Sequence, residues 1–140
     1  MNRIVYVKIA GKSYPMCFSL GVSKKIVQKF GSLSALQAAM KKKGGDESKN
    51  IDTVLSLLSM LIAQGCAYKN YFEKDLPVPE DAPIIDGKWT PLPEEVLEIA
   101  IGIQDMEEVA KKIEECLDIG TKKEVKAVST SKNAKTTQGV

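Results

Sequence analysis

At 140 residues the chain has the length of a single domain, and its 44% apolar content can build a core once a polar tail is set aside. It holds no histidine, which excludes Ser-His-Asp and Cys-His catalysis, histidine metal sites and an imidazole base. The net charge of +2 hides an uneven distribution: residues 1–45 carry nine Lys/Arg and no acid, 46–118 six Lys and 17 acids, and 119–140 five Lys and one Glu.

Opposite charge on two parts of one chain either neutralises within the fold or drives self-association and partner choice. The three cysteines, Cys17, Cys66 and Cys116, are far apart and form no C-x-x-C. Their apolar or helical neighbours predict buried thiols, as suits a reducing cytoplasm. The start, MNRIVYVKIAGK, lacks an apolar run of signal-peptide length.

Arg3 to Ile9 is rich in β-branched and aromatic residues and reads as a strand. Ala10-Gly11-Lys12 is a turn, and Ser13 to Phe18 alternates, with Tyr14, Met16 and Phe18 on one face. The two runs predict a hairpin over 3–18. Pro15 cannot donate to a ladder and marks an edge or a bulge.

Two short helices follow. The first spans about 22–30, with Ser19 or Ser23 as cap and Ile26, Val27 and Phe30 inward. Gly31 ends it. The second spans 33–43 behind Ser32, with Leu33, Leu36, Ala39 and Met40 inward. Lys41, Lys42 and Lys43 either complement its C-terminal dipole or form a phosphate-binding patch.

After the polar loop GGDESKN comes the longest apolar pattern, 51–71, capped by Asn50 or Asp52. Ile51, Val54, Leu55, Leu58, Leu61 and Ile62 keep helical spacing on one face, continued by Gly65 and by Tyr68 or Lys69. Leu57, Met60, Ala67 and Tyr71 make a second stripe. A helix apolar nearly all round is buried on more than one side. The uncharged run from Thr53 to Tyr68 is shorter than the roughly 20 residues of a membrane span, so a core helix is predicted. Gly65 marks either a close helix contact or an early end.

Five of the six prolines, Pro77, Pro79, Pro83, Pro91 and Pro93, fall in a long acidic connection with a turn signal at Asp86-Gly87. It also carries the only tryptophan, Trp89, either a plug on the core or an anchor for a partner. Pro93, Glu94 and Glu95 suit a helix start, giving a helix over 93–101 that Gly102 breaks. A last helix follows over 105–118, with Met106, Val109, Ala110, Ile113 and Leu117 on one stripe and Lys111 and Lys112 among solvated glutamates. Gly120 is its expected end, and the Lys/Ser/Thr-rich tail 121–140 is expected to be disordered.

The fold expected is therefore α+β and mostly α-helical: one domain over 1–120, a hairpin packed on a bundle of four to five helices, then the tail. No Walker loop, G-x-G-x-x-G or metal spacing is present. Catalytic, metal and cofactor residues are accordingly none, and no residue is singled out for partner binding.

The order of features has a likeness. A hairpin segment YVKIAGKSYPMCFSLGVSKKI precedes two small helices, then an apolar helix ending AQGCAYKN, then LPEEVLEIAIGIQDMEEVAKKIEECL and a lysine-rich tail. Over about residues 3–120 this resembles the tail assembly chaperones of long-tailed bacteriophages and prophages of Gram-positive bacteria. The resemblance implies a non-enzymatic factor in the host cytoplasm that coats the tape measure protein, keeps its apolar helices from aggregating and helps recruit tail tube subunits. It also implies that a frameshift often appends a second domain, for which the polar tail would be the linker.

Self-association is expected by strand pairing at the hairpin edge, by helix packing, or head to tail through the oppositely charged halves. The alternative is a small nucleic-acid-binding or regulatory protein using Lys24, Lys25, Lys29 and Lys41 to Lys43.

Overall fold

The computed structural model describes residues 3–41 and 47–130. Strands β1 (Ile4–Ile9) and β2 (Lys12–Cys17) pair antiparallel from Ile9↔Lys12 to Ile4↔Cys17. Ala10 and Gly11 both take positive φ, 50° and 82°. That backbone twist suits a two-residue hairpin turn.

Helices α1 (Leu20–Phe30), α2 (Leu33–Lys41) and α3 (Glu47–Phe72) follow. Next comes a small second ribbon, β3 (Ile84–Ile85) with β4 (Lys88–Trp89). The chain continues through α4 (Glu94–Ala100), a 3-10 turn (Ile103–Asp105) and α5 (Met106–Thr130). The α+β class, the hairpin and the five helices match the sequence reading.

α3 is the axis of the core. Leu57, Leu58, Leu61 and Ile62 are fully buried, and α1, α2, α4, β2 and β4 all pack against this one helix. By length and apolarity its Asn50–Phe72 stretch would also suit a membrane span, yet half of its window is buried inside the molecule. β2 lies along α3, and α5 packs mainly along β1.

Gly65 sits where β2 crosses α3. A β-carbon there would lie 2.1 Å from the Pro15 carbonyl oxygen, so the glycine marks close packing, and the helix runs on past it. Pro15 lies in an unbulged strand opposite Tyr6. The outer edge of β2 is poorly suited to strand addition: the Ser13 N–H donates to the Asp81 carbonyl, and Pro15 has no N–H.

The caps follow side-chain chemistry. Ser19, not Ser23, accepts from the Val22 N–H and opens α1. Ser32 accepts from the Ala35 N–H ahead of α2. Gly31, at φ 94°, closes α1 with its N–H on the Val27 carbonyl. Pro93 stands just before α4 rather than inside it, with Glu94 and Glu95 in the first turn.

Several boundaries and faces differ from expectation. α3 begins at Glu47, so Asn50 and Asp52 lie within the helix instead of capping it. Val27 is 53% exposed; one residue step turns it about 100° from the buried Ile26. Tyr71 and Ala67 leave the core because their face of α3 borders an open groove. Gly120 does not end α5: it packs on Phe18, whose ring occupies the place of a β-carbon. The helix extends to Thr130, through a KKEVKA stretch rich in good helix formers. Lys42, Lys43 and the tail from 131 onward lie outside the described residues, as does the side chain of Lys41.

Trp89 is the plug. It is 7% exposed, and Asn70 on α3 clamps its backbone twice: the Asn70 Nδ2 donates to the Trp89 carbonyl and the Trp89 N–H donates to Oδ1, each at 2.9 Å. The ribbon turn uses Asp86 and Gly87, both at positive φ.

A candidate helix-binding groove at the end of α3

The last two turns of α3 emerge from the core with aromatic side chains on two sides. On one side Lys69 lies 5.3 Å from the Tyr6 ring centre and 5.4 Å from that of Trp89, with its ammonium 2.6 Å from Glu73. Burial works against this ammonium, but hydrogen bonds with Glu73 and Tyr6 outweigh it and raise the pKa. This side is closed and structural.

The other side is open. Tyr71 is 79% and Phe72 70% exposed. Their ring centres are 5.4 Å apart, and Tyr68 stacks on Phe72 at 5.2 Å. With Arg3, Cys17 and Gln64 they line a mostly apolar groove of about 620 Å³. Its far wall is the start of α1, where the Ser19 hydroxyl donates to the Gln64 amide oxygen and fixes the two helices together. Leu20, 85% exposed, stands next to Ser19. Large apolar residues this exposed, gathered at a groove, mark an interaction surface more than a lone exposed leucine does.

The groove has one formal charge in its lining, Arg3. Its thiol is not a nucleophile: burial pushes Cys17 up, and only partly does the Arg3 guanidinium pull it back. The other thiols are also buried and free. Burial pushes Cys66 and Cys116 up to about 12, which keeps them protonated and inert at neutral pH. Among the described residues no group of three or more Cys, Asp or Glu is placed to hold a metal ion. The arrangement can exclude water and hold an apolar partner.

The cationic residues of the alternative reading that the structure describes, Lys24, Lys25 and Lys29, are all exposed on α1. The Lys29 ammonium donates to the Ser56 hydroxyl at 2.6 Å and lies over the Phe30 ring, while the side chain of Lys41, and Lys42 and Lys43, lie outside the described residues.

The sequence pattern alone missed this groove. Tyr71 fits the helix's second apolar stripe, and nothing in its spacing says that this face is left uncovered. One signal was available: three aromatics, Tyr68, Tyr71 and Phe72, crowd the last two turns of a helix whose core face is otherwise aliphatic.

Comparison with family models, curated proteins and solved structures gives no match.

Proposed function

We propose that the chain is a non-enzymatic assembly chaperone of the phage-tail type, acting in the host bacterial cytoplasm. It coats the tape measure protein during tail morphogenesis, associates with copies of itself, and brings in tail tube subunits. The observation that carries this reading is the open aromatic groove of Tyr68, Tyr71 and Phe72. Such a surface suits the apolar face of a helix, read at i, i+3, i+4 and i+7, and the tape measure protein is a long partner of that chemistry.

Magnitudes favour a coat of many copies. Fully burying Tyr71 and Phe72 contributes roughly 1.5–3 kcal/mol each. Association costs about 4 kcal/mol or more. One site is therefore weak, and useful occupancy comes from neighbouring copies bound along the same long helix, where each raises the effective concentration of the next.

The test is co-expression with a tape measure fragment. The wild-type protein is expected to keep the fragment soluble. The double substitution Tyr71→Asp with Phe72→Asp is expected to leave the protein folded and the fragment in inclusion bodies. Equal solubility with both proteins would rule out the groove as the holding surface.

A further inference from the structure

Two further exposed surfaces are apolar and opposite in charge. On α1, Leu20, Lys24 and Val27 follow at i, i+4 and i+7 and form one outward ridge. Leu20 is 85% and Val27 53% exposed. Lys24 puts positive charge on this ridge, within a stretch of chain that has no acid, and Lys25 stands about 100° further round the helix.

The second surface lies where the start of α3, the end of α4, the 3-10 turn and the start of α5 meet. They enclose an open groove of about 660 Å³ with Leu55 and Met106 in its lining and the carboxylates of Asp52 and Glu98 on it. Ile103 lines it at 74% exposure, and Ile99, next to Glu98, is 84% exposed. Among the described residues neither these two carboxylates nor Lys24 and Lys25 take part in an ion pair.

We infer that the α1 ridge of one copy docks in the α3–α4–α5 groove of a second copy. Leu20 and Val27 cover apolar surface at Ile99 and Ile103, while Lys24 meets the carboxylates of Asp52 and Glu98. The charge match chooses the occupant: the chain itself supplies a cationic apolar ridge and an anionic apolar groove. Strand pairing is the weaker route, because Asp81 and Pro15 spoil the outer edge of β2. The two surfaces are different, so the contact is heterologous, and each docked copy still offers one free ridge and one free groove. This deepens the self-association part of the proposed function and names its interface. It is separate from the tape measure groove.

The test uses the full chain in two variants, Val27→Asp on the ridge and Ile103→Asp in the groove. Both positions are exposed, and circular dichroism should match wild type. Light scattering is expected to show wild-type mass that grows with concentration and falls with salt, while each variant alone is monomeric. An equimolar mixture is expected to form a heterodimer and stop there, because only one intact ridge and one intact groove remain. Lys24→Glu is expected to weaken association at least tenfold, and Glu98→Lys in the partner copy to restore it. A wild type that stays monomeric, variants that assemble like wild type, or a mixture that stays monomeric would each overturn the interface. Tape measure binding is read in parallel: a monomeric protein that still binds the fragment removes this interface and leaves the functional reading, whereas heterodimers without fragment binding do the reverse.

Discussion

A β-carbon on Gly65 would overlap the Pro15 carbonyl, and backbone on both sides leaves little room to yield. Gly65→Ala gains about 1 kcal/mol of intrinsic helix preference but overpacks the α3–β2 contact, at a cost of about 1–3 kcal/mol or more. Net destabilisation is expected, read as a lower urea midpoint with an unchanged slope; a higher midpoint would show that the contact yields freely. In the sequence this residue was a lone glycine with two readings, because only the partner strand decides between them. The cysteines were more legible, since apolar neighbours sufficed to place all three inside. Burial raises Cys66 and Cys116 from their usual 9.0 to about 12. Below pH 9 both states hold these protons and the thiols' contribution is complete. Between about pH 9 and 12 the unfolded chain has released them and the folded one has not, so stability falls with rising pH. Denaturant melts from pH 8 to 11 should show that decline, and replacing both thiols by alanine should flatten it.

At the scale of elements, the long connection after α3 is a strap held at named points. Ser13 holds Asp81 through both its N–H and its hydroxyl, and Asn70 holds both backbone groups of Trp89. Asn70→Ala leaves that buried N–H and carbonyl without these partners, at a cost of about 1–3 kcal/mol. Loss of stability and faster proteolytic cleavage within 73–93 are expected; unchanged cleavage would show that the indole alone holds the strap. The turn at Asp86-Gly87 could be read from its dipeptide, but two-residue strands are too short to show alternation. Helix interiors were legible from apolar spacing, and their ends were not. The first turn of α3 is polar and carries no periodic signal. The last stretch of α5 passes through a glycine whose reason for being there is the Phe18 ring.

For the whole molecule, the sequence showed that a buried helix organises the chain and that charge is divided along it. It could not show which face of that helix stays uncovered at its end. That uncovered face exposes Tyr71 and Phe72, and it turns the end of a core helix into an open aromatic groove. The same is true of the charge: nine cations in residues 1–45 and 17 acids in 46–118 can be counted in the sequence, but their pairing with exposed Leu20, Val27, Ile99 and Ile103 appears only once the helices are packed. The most direct measurement is the affinity of a fluorescent apolar helical fragment of a tape measure protein, by anisotropy, for the wild type and for the Tyr71→Asp/Phe72→Asp protein. Saturable binding to the wild type is expected, weakened at least tenfold in the variant with an unchanged melting temperature. Equal binding by both, or no binding by the wild type at any concentration where it stays soluble, would contradict the chaperone reading of the groove.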